Sequence, residues 1–220
     1  MDDYIARAVT LDGYVRIFAA KTTDLVNEAV KIHHCAPTAA AALGRALTAA
    51  ALMGATLKDE ESSITLQIDG GGPIGKICAI TDKNCYVRGY CDDPTVDLPL
   101  KKDGKLDVGK AVGTNGYLNV IRDYGLKKPY IGRAELVSGE IGEDLTRYYA
   151  ISEQVPSAVG LGVLVDTDYT IKAAGGFIVQ LMPGATENHI ADIEKALSEI
   201  PSVTKMIEMG MKPEDIAEKL

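Results

Sequence analysis

Between residues 37 and 57 the chain is built almost wholly of Ala, Leu, Thr and Gly, with Arg45 as its one charge. A helix that is apolar all round has no face to offer water, so the rest of the chain must enclose it. Pro37 stands where proline is favoured, at a first helical position. Gly44 and Gly54 each cost a helix about 1 kcal/mol relative to alanine, which marks them as points where another element comes close. A membrane span is the competing use of such a run. A charge near the bilayer centre costs roughly 2.5–3.5 kcal/mol, and alanine is too weakly apolar to offset Arg45. The run therefore reads as a buried, closely packed helix, and no membrane partner is expected.

On either side of it the apolar period changes. Residues 5–10 and 14–19 read as a hairpin over Leu11-Asp12-Gly13. A helix follows, with Thr22, Thr23 or Asp24 as its cap and Leu25, Val26, Ala29 and Val30 on one face. From Ser62 the period falls to two: Ile64, Leu66 and Ile68 alternate with Thr65 and Gln67, a half-buried strand. Residues 74–80 and 86–91 form a meander around Asp82-Lys83-Asn84, and 92–107 read as a loop. Asn115-Gly116 is the strongest hairpin signal in the chain. Residues 133–137 read as a strand, 143–152 as a helix, and 159–166 with 170–182 as a last hairpin. After Pro183-Gly184 the texture turns helical, with Ile190, Ile193, Leu197 and Ile200 on one face and Pro201 and Pro213 as breaks. The expected fold is α/β of the α+β type. A mixed, mostly antiparallel sheet body with buried helices spans 1–182, and a helical region spans 183–220. Residues 213–220 have a good helix start and no stop signal, so the chain is expected to be truncated there.

Composition narrows the function. Apolar residues make up 46%, enough for a core without disulfides or metal. Acidic residues outnumber basic ones, 31 to 23, and no basic run occurs, so nucleic acid is not an expected partner. Met1-Asp2-Asp3 lacks the basic start of a secretion signal, so none is expected. Cysteine is sparse, at 35, 78, 85 and 91, which suits a reducing cytosol.

Several motifs invite a chemical reading and resist it. Gly70-Gly71-Gly72-Pro73-Ile74-Gly75-Lys76 has phosphate-loop spacing, but Ile77 stands where a magnesium-binding hydroxyl belongs and the segment leads into a strand. Gly160-Leu161-Gly162 lacks the third glycine of a dinucleotide fingerprint. His33-His34-Cys35 are adjacent residues pointing about 100° apart on a helix, a poor metal set. Cys78 is expected opposite Arg88 or Gly89 with Cys91 at best diagonal, too far for an unstrained disulfide, so the cysteines read as core residues. Ser138 and Ser152 read as cap and turn chemistry. Glu135, Glu140, Glu143 and Asp144 are the only carboxylates that suggest acid–base work. A small-ligand enzyme using these carboxylates, within 135–153, and the glycine-rich turns is the alternative to a binding protein. Met182, Met206, Met209 and Met211 suit promiscuous apolar binding, because methionine adapts to irregular partners. Met206, Met209 and Met211, in the helical region, are the candidates for such binding, with ordinary helix packing as the competing reading.

Ala41-Ala42-Leu43-Gly44-Arg45-Ala46-Leu47, the 70–75 glycine turn and Val112-Gly113-Thr114-Asn115-Gly116-Tyr117-Leu118 resemble blocks of the thirty-three-kilodalton heat-shock chaperonin family. So do Leu136-Val137-Ser138-Gly139-Glu140-Ile141, Ser152-Glu153-Gln154-Val155-Pro156-Ser157, Ala174-Gly175-Gly176-Phe177 and Gln180-Leu181-Met182-Pro183-Gly184. The blocks occur in the family's order and span nearly the whole chain. The resemblance implies a non-enzymatic, redox-regulated, cytoplasmic stress protein that holds unfolding client proteins without ATP and tends to homodimerise. It also implies a C-terminal segment with Cys-x-Cys and Cys-x-x-Cys, four thiolates that bind one zinc when reduced and form two disulfides when oxidised. None of Cys35, Cys78, Cys85 or Cys91 matches that pattern, so no cofactor, metal ligand or catalytic residue is carried over to this chain.

Overall fold

The computed structural model describes residues 2–220. Helix α2 (Pro37–Gly54) lies at the centre, with all its residues buried except Pro37 and Arg45. A four-stranded antiparallel sheet packs on one side of it, in the order β1 (Tyr4–Val9), β2 (Val15–Lys21), β9 (Ile171–Leu181), β8 (Ser157–Val165). A five-stranded antiparallel sheet packs on the other. Its order is β5 (Val87–Cys91), β4 (Ile77–Asp82), β3 (Ser63–Asp69), β6 (Tyr117–Asp123), β7 (Tyr130–Glu135). Helix α1 (Thr23–His33) and the short α3 (Val108–Val112) and α4 (Gly142–Tyr148) close the space around α2. Small residues on α2 are what make this layering possible. A Cβ on Gly44 would lie 2.6 Å from Val26 of α1 and 2.9 Å from Val163 of β8, and one on Gly54 would lie 2.9 Å from the Asp82 carbonyl.

The sheets follow the alternation read from the sequence. Ile64, Leu66 and Ile68 point to α2 and are fully buried, and Leu118 and Val120 continue that face across β6. Four local expectations are corrected. The Asn115-Gly116 signal is not a hairpin: it joins α3 to β6, and the Asn115 amide donates to the Gly70 carbonyl (3.0 Å). β4 begins at Ile77, not Ile74, because Gly75 takes a left-handed φ of 67° and turns the chain. The β4–β5 turn runs longer than Asp82-Lys83-Asn84, with Cys85 at φ 58°, so Cys78 faces Tyr90 and Ile77 faces Cys91. Finally, no side chain among Thr22, Thr23 and Asp24 caps α1. The Thr22 hydroxyl meets that of Thr48 in the core, and Asp3, from the strand edge, accepts from the Leu25 amide (2.7 Å).

Beyond residue 182 three helices lie over the outer face of the four-stranded sheet: α5 (Glu187–Glu199), α6 (Val203–Glu208) and α7 (Pro213–Ala217). A second, smaller core forms there, in which Val15, Ile17, Phe177 and Val179 of the sheet meet Val203, Met206, Ile207 and Ile216 of the helices.

Candidate functional site

The second core is unevenly built. α6 and α7 each bury residues against the sheet, whereas α5 buries none. Its stripe of Ile190, Ile193 and Leu197 lies only half-covered above Ala158, Val179 and Leu181, leaving an apolar groove of about 190 Å³. The contacts that position its N-terminus are polar and near the surface. His189 Nδ1 accepts from the Thr186 amide (2.9 Å), its Nε2 meets Asp12 Oδ2 (3.0 Å), and its ring lies 5.0 Å from that of Tyr14. Asp12 is held near pKa 2 by hydrogen bonds from the Thr10 hydroxyl and the Tyr14 amide, with His189 adding to them. It stays an anion for His189 over any physiological range.

The methionines divide. Met206 is fully buried in the second core, Met211 is half-buried beside it, and Met209 is 63% exposed. Met182 is half-buried and donates its amide to the Tyr14 carbonyl (2.8 Å).

A second apolar surface lies on the opposite side of the molecule. Among the described residues, no helix lies over the outer face of the five-stranded sheet. Tyr90, Tyr117 and Ile131 are exposed there, with half-buried Ile80 and Ile121 between them. Arg133 stacks its guanidinium 3.4 Å from the centre of the Tyr117 ring, so the cation shields part of the aromatic surface.

The polar motifs are occupied with holding the body together. Gly70, Gly72, Gly113 and Gly139 come from three separate blocks and pack backbone on backbone. A Cβ on Gly72 or Gly113 would overlap the facing chain, and one on Gly139 would lie 2.7 Å from the Gly109 carbonyl. This close approach, not a phosphate cradle, is what the glycine turn supplies. Glu140 pairs with Arg45 and Lys101, which ties the 92–107 loop to α2. Burial alone would raise the Glu140 carboxyl, but the bonds from Lys101 and Arg45 hold it below its usual value. Asp144 is buried and accepts from the amides of Val137, Ser138 and Ile141. Those bonds hold Ile141 at φ 70°, a costly conformation for a β-branched residue. Glu153 accepts from Arg122 (2.9 Å) and from the Tyr148 hydroxyl (2.6 Å), across the π-helical turn Tyr149–Glu153. Glu135 and Glu143 are exposed. His33 is half-buried and His34 exposed, at the left-handed end of α1.

Two constellations escaped the sequence reading. One is the His189–Asp12 contact, across 177 positions. The other places Cys35 and Cys91, both buried, in one core, where each acts on the other: Cys35 is drawn below its usual value and Cys91 is pushed up. Neither has a local signature, since each depends on segments that meet only in the folded chain. The cysteines do not fit a zinc site: Cys78 lies in β4 and Cys85 in the β4–β5 turn, apart from that pair.

Comparison with known proteins gives a consistent picture. The family model described as Hsp33 protein matches residues 3–220. The 33 kDa chaperonin of Clostridium botulinum (strain Langeland) is 57% identical over 218 residues, 99% of this chain and 74% of that protein. That of Geobacillus kaustophilus is 54% identical over 220 residues, 100% of this chain and 74% of that protein. The crystal structure of the 33 kDa chaperonin from Thermotoga maritima superposes with a TM-score of 0.92 at 41% identity, covering 98% of this chain and 73% of that one.

Proposed function

This chain belongs to the Hsp33 family, and from that premise we propose that it is a holdase, binding unfolding proteins without ATP and keeping them from aggregating. The observation that carries the reading is α5, an amphipathic helix with no buried residue, set over an apolar sheet face. An unfolded chain exposes apolar segments, and burying them on Ala158, Val179 and Leu181, the face beneath α5, lowers the free energy by about 25 cal/mol per Å² covered. α5 competes for that face weakly, so its release costs little and uncovers a binding surface. Residues 183–220 then serve as a movable cover over a 1–182 body, and Met209, already exposed, enlarges the apolar contact. Work of this kind belongs in the cytoplasm, among other proteins under heat or oxidative stress. In the family, redox control of the cover rests on the zinc-binding cysteine segment. Cys35, Cys78, Cys85 and Cys91 supply no such site, so residues 1–220 taken by themselves are expected to hold clients equally well reduced or oxidised.

The test is light scattering of a thermally unfolding client mixed with the 220-residue chain, without nucleotide, after pretreatment with dithiothreitol or with peroxide. Suppression of aggregation is expected, equal in the two states and unchanged by ATP. No suppression at several-fold molar excess, or suppression that requires ATP hydrolysis, would overturn the reading.

A further inference from the structure

β1 forms one edge of the four-stranded sheet, and the direction of its backbone bonds follows from its neighbours. The Thr10 amide donates to the Val15 carbonyl (3.0 Å), so these two residues are a bonded pair of the antiparallel ladder. Bonded pairs recur at every second residue. The amides and carbonyls of Ala8, Ala6 and Tyr4 therefore turn toward β2, and those of Val9, Arg7 and Ile5 turn away from it. The Met182 amide, bonded to the Tyr14 carbonyl, fixes the same alternation from the other side of β2. Among the described residues, nothing bonds the amides or carbonyls of Ile5, Arg7 and Val9. The opposite edge of the sheet, β8, is partly closed, since the Val159 amide donates to the Thr146 hydroxyl (3.2 Å). A groove runs along each side of the open edge. On the face turned to α7, Ala6, Ala8, Ile17, Ala217 and Leu220 line a mostly apolar hollow of about 450 Å³. On the other face, Ile5 and Arg7 border a cleft of about 510 Å³ whose far side is Tyr86 and Val87. Arg7 is exposed, and no carboxylate pairs with it among the described residues.

We propose that β1 is a docking edge for an extended client segment, which adds to the four-stranded sheet as a fifth strand through the free amides and carbonyls of Ile5, Arg7 and Val9. That the strand comes from a client rests on the holdase reading; the edge and its two grooves do not. Main-chain bonds supply affinity for any extended backbone, and pockets for alternate side chains supply the preference. Side chains of the added strand alternate between its faces, so one set falls over the apolar hollow beside α7 and the other beside Arg7 and Tyr86. The partner that fits both is a segment of alternating apolar and polar residues, with an acidic one opposite Arg7. Half-buried strands have this pattern, and a sheet protein exposes them as it unfolds. A second copy of β1 fits less well. The antiparallel register that uses all three outward residues sets Arg7 opposite its own counterpart, and like charges directly opposite repel. The edge lies across the sheet from the groove under α5, so one client can engage both.

The test is fluorescence anisotropy of a labelled seven-residue peptide, valine alternating with threonine and a central glutamate, titrated with the 220-residue chain. Saturable binding is expected. Methylating the alternate set of peptide amides that faces β1 should abolish it, and methylating the other set should not. Arg7→Pro should weaken binding at least tenfold, because it removes an outward amide that β2 does not use, a position where an edge strand tolerates proline. Circular dichroism and thermal melting of that variant report whether the fold is kept. Arg7→Glu, which leaves the backbone alone, should weaken binding several-fold, and exchanging the peptide glutamate for lysine should restore it. The proposal is overturned if the peptide stays unbound at millimolar concentration, or if methylating either set of amides has the same effect. It is overturned too if Arg7→Pro turns a dimer into a monomer in sedimentation while the peptide stays unbound, since the edge then belongs to a second copy. Peptide binding without client protection in light scattering would sink the holdase reading and leave the docking edge standing. Client protection without peptide binding would do the reverse.

Discussion

Gly44 shows most clearly how single residues decide this fold. Replacing a helix-interior glycine by alanine ordinarily gains about 1 kcal/mol. Here the new methyl would sit 2.6 Å from Val26 Cγ1 and 2.9 Å from Val163 Cγ2, and both neighbours are stiff at χ1. Overpacking of that kind costs about 1–3 kcal/mol, so Gly44→Ala should lower stability in denaturant titration despite better helix propensity. A gain in stability would mean that α1 and β8 can retreat from α2. Glu140 makes a pH-dependent contribution whose sign follows from its partners. Its folded carboxyl titrates below the ordinary value of 4.5, held down by Lys101 and Arg45 against the effect of burial. As pH falls the unfolded chain takes the proton first, so the stabilisation is complete above 4.5 and vanishes as pH drops through the lower folded value. Glu140→Gln should therefore melt several degrees below the wild type at neutral pH, and the gap should close in acid. A gap of the same size at both pH values would assign the loss to packing instead of charge.

At the scale of elements, the contrast lies between α2 and α5. Both were legible as helices, α2 from its all-round apolar composition and the proline at its start, α5 from its spacing. α2 is enclosed on every side, whereas α5 rests its apolar stripe on a groove it does not fill. The 3.6-residue period says that a face is apolar; it does not say how well that face is seated, which depends on the shape of the partner surface. Weakening the seat should loosen α5 and leave the body intact. Ile193→Ser with Leu197→Ser is expected to raise binding of an apolar fluorescent dye and client protection several-fold, while the body's unfolding transition stays in place. His189→Ala should move both readouts the same way, because it removes the bonds to Thr186 and Asp12 together. If both variants bind dye and client no better than the wild type, α5 is not the cover.

For the molecule as a whole, the central pairing of the four-stranded sheet joins β2 to β9, from Val15 opposite Leu181 to Lys21 opposite Gly175. The second and last strands of the body are thus neighbours, and α2 stays uncovered on one side until they meet. A chain ending before β9 should remain unfolded by far-UV and near-UV circular dichroism; a cooperative transition in such a fragment would show that the five-stranded layer folds alone. The apolar faces of 183–220 also suit exchange between two copies, with Gly184 at φ 96° as the hinge. Sedimentation at micromolar concentration should give twice the 23.4 kDa chain mass. A single monomer species would remove both the dimer and the exchange.

Local pattern settled what could be settled locally. The buried central helix follows from an apolar run with nowhere else to go, the strands from alternation at 62–69 and 117–121, and the helical tail from its recurring isoleucines. Each signal is carried by neighbours within one turn or one strand, so it survives without the rest of the chain. The family blocks were legible too, but their purpose was not: the glycines of three blocks matter because they stack on one another. Tertiary structure alone decided the β4–β5 register, set by the left-handed Cys85, and the Asp3 cap on α1. It also decided the loose seat of α5 and the contact of His189 with Asp12. These arise where segments far apart in the chain come together, and the free energy of such a meeting is shared among many side chains, none of which announces it alone.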